Sequence, residues 1–473
     1  MSQTEEQIVN NSNFSVGIST LPSLDQLKYE DMDFFGHVRV ADVVHLEIEQ
    51  SLDMMYKTGK LVITDRSALR ENFPLTGNEV FTIEYTNALH DSSVPKKIVH
   101  FRVFDIQEIP NKTEQPSQNS TFLHLTLVEF PAYDFLVKNT IYLSYPWNKR
   151  PSRGSRSVSN IITDVLEKVP NLVNWYDLEI DETVDDDENL FNFFVPHWTP
   201  MKTIKYLQRF AVSKNDNHNL FTFTTEHSPG EGIRPKFVFK SVYDYLDTDI
   251  ARVYSTTHPG IERRRPSIPD EEIEEELPDL PDYSIEDYIH AKRFMYGQGG
   301  QIAFSRLSGK TIVEYDHELG NNYYGFTFND HLSKYKSNLS LFSWHSQEHG
   351  NQWSKFETTP WCNENQIINN TKNEYNKLMI QSIGCKTHCH LNQLRKPGEL
   401  AFLQFTSENI LNGNIDLMYS GRWLTWSIKD IIYSFGDSAS EVDFYKDGYT
   451  LVDSNNQNLT EIEMGGSVEP DNL

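Results

Sequence analysis

The sequence predicts an α+β protein that is predominantly β, with a strand-rich module near each end and helices between them. Two observations support this fold class. Tyr and Phe number 23 and 28 against only 9 Met, and aromatic side chains suit a pleated sheet. Apolar residues alternate with polar ones near both ends, which is typical of strands, but recur every three or four positions in the middle, which is typical of helices.

Length and charge narrow the possible classes of protein. A chain of 473 residues is too long for one core, so three or four domains are expected. A net charge of −26 repels phosphate, and no specific nucleic-acid binding is expected. The cluster Arg263–Arg265 is followed directly by an acidic run, and we interpret it as a self-neutralised loop.

Cysteine content and hydropathy predict the compartment. Three cysteines are too few for a disulfide framework, which indicates a chain that is made and kept, or assembled, in a reducing cytoplasm. No stretch approaches the roughly 20 apolar residues of a membrane span. Residues 1–20 have neither the basic leader nor the apolar core of a signal peptide.

The first module follows a polar segment, residues 1–37, which we expect to be an irregular arm. Residues 38–150 are predicted to form an antiparallel barrel or sandwich, because strands recur between polar turns. These strands are expected around Val44–Ile48 and at 60–65, 79–85, 97–106 and 121–130. The segment 107–120 is longer than a hairpin requires, and we interpret it as an interaction loop.

The middle of the chain, residues 151–258, is predicted to be an α/β domain. A helix is expected from Val158 to Val169, with Ser157 as its N-cap and Pro170 at its end. Thr199 and Pro200 have the residue types of an N-cap and a first helical position. Two aromatic strands are expected at 220–225 and 236–241.

The second half is predicted to begin with a linker and to end in a second strand-rich module. Segment 259–282 is rich in proline and acidic from Asp270 onwards, so it is either a solvated spacer or an acidic docking strip. The further boundaries are a second middle domain with insertions at 283–374, the second module at 375–455 and a polar C-terminal tail at 456–473. Strands are expected at 301–306, 311–315, 323–328, 377–384, 387–394, 400–405, 415–435 and 441–448.

Catalytic motifs are not recognisable in this sequence. The glycines at 297–301 lack the spacing of a nucleotide-binding loop, and neither a nucleophile elbow nor a zinc-protease helix is present. The chain is therefore expected to be no enzyme, with no catalytic residues and no cofactor. A pair of carboxylates for glycoside hydrolysis is not singled out by any pattern, and a cell-wall hydrolase remains an alternative.

A cluster of soft ligands provides the only candidate for a metal site. Cys385, His388, Cys389 and His390 are all residues that bind zinc or iron. In a strand, however, the two cysteines point to one face and the two histidines to the other. We therefore expect buried thiols beside exposed histidines, and keep a metal-bearing binding module as the alternative. Cys362 is expected to be a lone buried thiol.

The order of the segments resembles that of baseplate hub proteins of contractile bacteriophage tails, a family related to the hub part of type VI secretion spike proteins. In the first module the match runs from Gly59 to Asp65 and then through Phe73, Pro74, Leu75, Gly77 and Glu79. In the middle it covers the basic loop and helix of 144–169 and then Pro196, Trp198, Pro200, Ile204 and Leu207. Near the end it covers Leu400–Phe405, Tyr419–Leu424 and a strand ending near Phe435, whereas 259–282 and 335–370 depart from the pattern as insertions.

The resemblance implies a specific architecture and role. It implies two tube-like antiparallel β-barrel domains that flank the helix-containing middle domains. Three chains would then form a homotrimer with six barrels, which adapts a three-fold central spike to a six-fold tail tube. The implied location is the tail baseplate of a virion, and DNA passes through the lumen during genome ejection. The implied partners are the central spike, the tail tube or tube-initiator proteins, the baseplate wedge and the tape-measure protein.

Overall fold

The structure is a computed structural model that describes part of the chain. The described residues are 14–20, 36–38, 40–65, 79–86, 95–111, 120–144, 157–183, 194–214, 220–229, 233–255, 287–288, 291–295, 314–316, 321–323, 373, 377, 380–381, 383–405, 419–433 and 438–446. The predictions for 259–282, Arg263–Arg265, 297–301, 301–306, Cys362, the 335–370 insertion, the 456–473 tail and most of 311–315 and 323–328 lie outside them.

The first module is an antiparallel sheet, as its alternating pattern predicts. Its strands are β1 (Phe14–Thr20), β2 (Gly36–Val38), β3 (Val43–Ser51), β4 (Thr58–Thr64), β5 (Glu79–Tyr85), β6 (Lys97–Asn111) and β7 (Ser120–Glu129). They lie in the order β3-β4-β7-β6-β5-β1-β2. Leu46, Ile48 and Leu61 are each at most 2% exposed, so one face of these strands supplies an apolar core.

Two predictions for this module were wrong. The supposedly irregular arm contains β1, which pairs with β5 along its whole length and buries Phe14, Val16 and Ile18. The alternation of apolar and polar residues in β1 covers only seven positions between polar flanks, which is too short a pattern to distinguish the strand from a loop. Part of the predicted loop 107–120 is also strand, since Gln107 pairs with His124 and the hairpin ladder extends to Asn111.

The middle domain contains the helices and a small mixed sheet. Its elements are β8 (Ile141–Ser144), α1 (Val158–Glu167), α2 (Leu172–Trp175), β9 (Asp177–Ile180), β10 (Phe194–Trp198), α3 (Pro200–Gln208), β11 (Phe221–Glu226), β12 (Lys236–Ser241) and α4 (Val242–Leu246). Both predicted N-caps are confirmed: Ser157 Oγ accepts from the Asn160 N–H at 3.2 Å, and Thr199 Oγ1 accepts from the Lys202 N–H at 3.3 Å.

An apolar core joins the middle domain to the first module. The cluster contains Val80 and Phe130 from the first module together with Ile162, Leu207 and Trp175 from the helices. The rings of Phe130 and Trp175 meet edge to face at 5.8 Å, a favoured arrangement for aromatic pairs. The first module and the middle domain therefore share one continuous apolar cluster.

The second module is formed by strands that are far apart in the sequence. They are β13 (Ile250–Ser255), β14 (Asp287–Tyr288), β15 (Ala291–Met295), β18 (Ile383–His390), β19 (Leu400–Gln404), β20 (Gly421–Tyr433) and β21 (Ser438–Lys446), with a separate hairpin of β16 (Glu314–Asp316) and β17 (Asn321–Tyr323). This module is not wholly antiparallel, because β13 runs parallel to both β14 and β19.

The predicted strand at 377–384 was wrong over its first half. Lys377 and Ile380 are helical, and the Gln381 N–H donates to the Lys377 carbonyl at 3.1 Å. The strand begins only at Ile383. A short apolar run does not distinguish a strand from a buried helical turn, which explains the error.

The two modules are parts of one 14-stranded sheet. Strand β20 of the second module pairs with β3 of the first, and the described strands form no closed barrel. The predominantly β class with a few helices is confirmed, but the two separate barrels implied by the resemblance are not found among the described residues. No helix in the described parts of the chain is long and apolar enough to cross a membrane.

Candidate functional site

The two modules meet at a seam, where β20 of the second module pairs with β3 of the first. Strand β20 pairs with β21 along one edge, while its other edge pairs first with β19 and then with β3. A β-bulge between Thr425 and Ser427 lies where the partner changes. Because a bulge bends a strand and increases its twist, one strand can belong to both modules.

The extra residue of the bulge, Trp426, fixes the bend. Its side chain is only 4% exposed, and its Nε1–H donates to Asp53 Oδ2 at 2.8 Å. Asp53 lies two residues after the end of β3. The indole therefore links the bend in β20 to the end of its partner strand in the first module.

One face of the sheet carries a ladder of charges that crosses the seam. Basic residues on β18, β20 and β4 alternate with acidic residues on β21 and β3. The contacts are Lys386–Asp443 at 3.7 Å, His388–Glu441 at 3.8 Å, Lys429–Glu47 at 3.2 Å and Lys60–Glu47 at 3.8 Å. We call this surface the polar face. Such partly exposed pairs contribute little stability, so their main effects are to select register and to neutralise one another.

Glu47 is the centre of the polar face. Its carboxylate lies 2.7 Å from His45 Nε2 and 3.2 Å from Lys429 Nζ. Partial burial opposes ionisation of Glu47, but the contacts with His45 and Lys429 outweigh it and hold the pKa of the carboxyl below its ordinary value. Glu47 is therefore an anion on β3 that attracts a cation on β20.

A buried hydrogen-bond group lies within the sheet on the opposite side. Asp430 of β20 is 2% exposed and accepts from the Tyr85 hydroxyl at 3.0 Å and the Ser440 hydroxyl at 2.7 Å. Lys97 Nζ lies 5.9 Å from the centre of the Tyr85 ring. Burial and the charge of Asp430 raise the pKa of Tyr85, so its hydroxyl stays a donor across the seam.

A second buried group connects the first module to the middle domain. Glu129 at the end of β7 is fully buried. Its carboxylate accepts from the Lys57 backbone N–H at 2.7 Å, the Thr225 hydroxyl at 2.6 Å and the Tyr176 hydroxyl at 3.0 Å. His227 Nε2 lies 3.5 Å away. Two elements of the middle domain thus converge on one carboxylate of the first module.

The protonation of this junction follows from its burial. Burial, and then the charge of Lys97, lowers the pKa of Lys57 to about 7. Burial, and then the charge of Lys57, lowers the pKa of His227 well below its ordinary value. The His227 ring is therefore neutral, and its Nδ1 accepts from the ammonium of Lys57, which it contacts directly.

The four candidate metal ligands on β18 lie on two faces of the sheet. Cys385 and Cys389 are 0% and 1% exposed in the core of the second module, whereas His388 and His390 are half-buried on the polar face. This alternation was predicted from the period of two. Among the described residues, no group of three or more His, Cys, Asp and Glu side chains is placed to hold a metal ion.

The junction residues Lys57, Glu129 and His227 were not predicted from sequence. They lie far apart in the chain, and no motif connects them. The only local signal is Glu129 itself, a carboxylate in a strand whose neighbours are mostly apolar. A charged side chain on a buried strand requires a partner, but the pattern does not say which one.

Comparison with known proteins gives no family assignment. No family model matches the sequence, and no curated protein matches it either. Solved structures with a related chain path include the tail protein from Neisseria meningitidis MC58, with 9% identity, a TM-score of 0.46, and 92% of this chain and 97% of that chain covered. The 43 kDa tail protein of prophage MuSo2 from Shewanella oneidensis has 10% identity and a TM-score of 0.43, with coverage of 91% and 98%.

A third solved structure is an E. coli component of the type VI secretion system, which is itself described as similar to the T4 bacteriophage tail proteins gp27 and gp5. It has 7% identity and a TM-score of 0.44, and the match covers 87% of this chain and 76% of that chain. All three structures are tail proteins or a type VI secretion component. TM-scores below 0.5 do not establish a common fold, so function has to be inferred from the chain itself.

Proposed function

We propose that this chain is a structural component of a contractile phage tail, and specifically its baseplate hub. In this role it forms a homotrimer that adapts the three-fold central spike to the six-fold tail tube. The observation that carries the proposal is the seam, in which β20 of the second module pairs with β3 of the first. It agrees with the segment order between Gly59 and Phe435, which resembles that of hub proteins.

The seam suits a symmetry adaptor for a geometric reason. The two strand-rich modules lie side by side in one sheet. Each chain therefore presents two similar units, one after the other, around a ring. Three such chains then supply six units, and a closed three-fold ring repeats the same contact between neighbours. A six-fold tube can dock on six similar units even though only three chains are present.

The polar face is proposed to line the lumen. Its acidic and basic strands alternate across both modules, so the pairs around Glu47, Glu441 and Asp443 neutralise one another locally. A lumen without an excess of cations does not retain passing DNA, because tight nonspecific binding requires several unpaired lysines or arginines. Because its charges neutralise one another, this face favours the passage of DNA over its retention.

The partners follow from the same proposal. They are the central spike on one side, the tail tube or tube-initiator proteins on the other, the baseplate wedge around the ring and the tape-measure protein within it. The proposed location is the virion tail baseplate, with assembly in the host cytoplasm.

The described residues do not favour a cell-wall hydrolase or a metal-bearing module. Glu129 is a carboxylate that accepts hydrogen bonds from the Lys57 N–H, the Thr225 hydroxyl and the Tyr176 hydroxyl. It is 0% exposed and cannot reach a polysaccharide. The cysteines and histidines of β18 face opposite sides of the sheet. We therefore propose a protein without catalytic activity, without a cofactor and without a resident metal.

Native mass spectrometry tests this function directly. The purified protein is expected to be a trimer, or to become one when its spike protein is added, because the ring closes only with three chains. A stable monomer that responds neither to spike nor to tube proteins would contradict the hub assignment.

A further inference from the structure

Two stretches of this acidic chain contain no acidic residue at all. Between Asp134 and Asp164 there is no Asp or Glu, and between Glu188 and Asp216 there is none either. The cations within them are Lys138, Lys149, Arg150, Arg153, Arg156, Lys202, Lys205, Arg209 and Lys214. In a chain with 68 acidic residues and a net charge of −26, such a segregation of charge requires an explanation.

The fold brings the two stretches together. Strand β8 comes from the first stretch and β10 from the second, and they pair with each other in a two-stranded sheet. Helix α3 follows β10 after a single residue, Thr199. The described parts of the two acid-free stretches, residues 141–144 and 194–198, thus lie side by side in the middle domain.

The cations of α3 lie on the exposed side of the helix. Lys202, Lys205 and Arg209 are spaced by three and four residues, which places them on one face, and all three are exposed. The opposite side buries Ile204 and Leu207. The side chains of Lys205 and Arg209 make no ion pair or hydrogen bond with any described residue. The helix dipole favours cations in the last turn, but it does not explain Lys202 in the first turn.

Aromatic side chains are interleaved with these cations. Lys202 Nζ lies 4.6 Å above the ring of Trp198, which meets Tyr206 edge to face at 5.5 Å. Beside Trp198, the exposed ring of His197 lies 5.4 Å from the ring of Tyr142, which is 55% exposed. Aromatic side chains and arginine are enriched at protein interfaces, so Trp198 and Arg209 are residue types that interfaces favour.

The backbone at this surface is strained. His197 has φ of +53°, a left-handed conformation that is unfavourable for a residue with a side chain. The β8–β10 ladder is irregular at the same place, between Val195 and Trp198. Since strained residues concentrate at binding sites, the geometry gives a second reason to regard this surface as functional.

We propose that the surface formed by Trp198, Lys202, Lys205 and Arg209 is a docking site for a carboxylate-rich polypeptide segment of a neighbouring protein. We call it the basic face. The exposed cations would pair with carboxylates, while the aromatic rings would cover apolar side chains between them. The inference does not depend on the hub assignment.

A polypeptide fits this surface better than a nucleic acid. Lys202 and Arg209 are seven residues apart, which corresponds to about 10 Å along a helix and matches a short acidic run. A nucleic acid long enough to extend beyond these cations would meet the strongly acidic remainder of the chain, which repels its phosphates, whereas a short acidic run would contact only the basic face. The ammonium of Lys202 already covers a face of Trp198, so that face is not a free platform for stacking a base.

A peptide-binding experiment on the full chain tests the proposal. The probe is a dye-labelled peptide with the sequence Asp-Glu-Glu-Ile-Glu-Glu-Glu, that of residues 270–276, and a single-stranded DNA of equal charge serves as the comparison. Fluorescence anisotropy at low salt is expected to show peptide binding that weakens as salt rises. Lys205→Gln/Arg209→Gln is expected to weaken it at least ten-fold, and zero-length cross-linking of carboxyl to amine groups should join the peptide to Lys202 or Lys205.

A matched control comes from the same domain. Arg234→Gln/Lys236→Gln removes two exposed cations that already pair with Asp177 and Glu179, and it should leave binding within two-fold of the parent protein. The proposal is overturned if the parent chain does not bind the peptide, if both double variants bind equally weakly, or if the DNA binds more tightly than the peptide. Cross-links from Lys205 to residues 185–188 of the same chain, without cross-links to the peptide, would also overturn it.

Discussion

Glu129, Lys57 and His227 show how single residues hold two parts of this molecule together. The carboxylate and the ammonium are both buried, and the neutral imidazole lies between them. Glu129 accepts from the Lys57 N–H, the Thr225 hydroxyl and the Tyr176 hydroxyl, and a buried donor that loses its acceptor costs about 1–3 kcal/mol. The junction between the first module and the middle domain is therefore sensitive to single substitutions.

Glu129→Gln is expected to destabilise the protein by about 1–3 kcal/mol, because an amide cannot accept from the Lys57 N–H, the Thr225 hydroxyl and the Tyr176 hydroxyl as the carboxylate does. Thermal and denaturant unfolding of the variant measure the loss. The control is Glu182→Gln. The Glu182 side chain is 76% exposed and pairs with Lys214, so its loss should lower the free energy of unfolding by under about 1 kcal/mol. Equal losses for the two variants would contradict the assigned role of Glu129.

Stability is expected to fall in mild acid because of His100. Burial lowers the pKa of His100 to about 4, whereas in the unfolded chain it titrates near its ordinary value of 6.5. The unfolded state therefore takes up a proton first, so stability decreases as the pH falls from about 6.5 towards 4, by about 3 kcal/mol from this residue. His227, whose pKa is lowered in the same direction, adds to the loss.

Melting temperature as a function of pH tests this expectation. His100→Gln should flatten the decrease between pH 6.5 and 4, because the group that titrates is gone. His388→Gln, at a position that is 44% exposed, is the matched control and should follow the parent curve. Parallel curves for His100→Gln and the parent protein would show that protonation of His100 does not cause the decrease in melting temperature.

At the scale of elements, the seam depends on a hydrogen bond between modules. Tyr85→Phe leaves Asp430 Oδ2 without its donor at 3.0 Å, and an unsatisfied buried acceptor costs about 1–3 kcal/mol. Hydrogen exchange is expected to accelerate in β3 and β20 but not in β11 and β12. Tyr433→Phe, at a position that is 43% exposed, should leave exchange unchanged, and equal exchange in both variants would exclude the proposed role of Tyr85.

Local patterns explain which elements could be predicted from sequence. The helices were predicted because their caps Ser157 and Thr199 lie directly before an apolar repeat. β5 and β7 were predicted because alternation and turn residues are local signals. The pairing of β20 with β3 was not, since Lys429 and Glu49 are opposite each other but 380 positions apart. Register between distant strands depends on tertiary packing, which a local pattern does not record.

At the scale of the whole molecule, the described structure replaces two separate barrels by one continuous sheet. The resemblance to hub proteins implied two closed units, whereas the described strands join through β20 and leave each module open. The shared sheet fixes the two modules relative to each other, because β20 contributes to both. A rigid pair of modules is what a chain needs if three copies are to present six units at fixed angles.

The symmetry of the assembled protein tests this account most directly. Electron microscopy of the purified oligomer, alone or with its spike protein, is expected to show a three-fold ring with six similar strand-rich lobes. A monomer, a two-fold dimer, or a three-fold particle with only three such lobes would contradict the proposal that the seam makes this chain a symmetry adaptor.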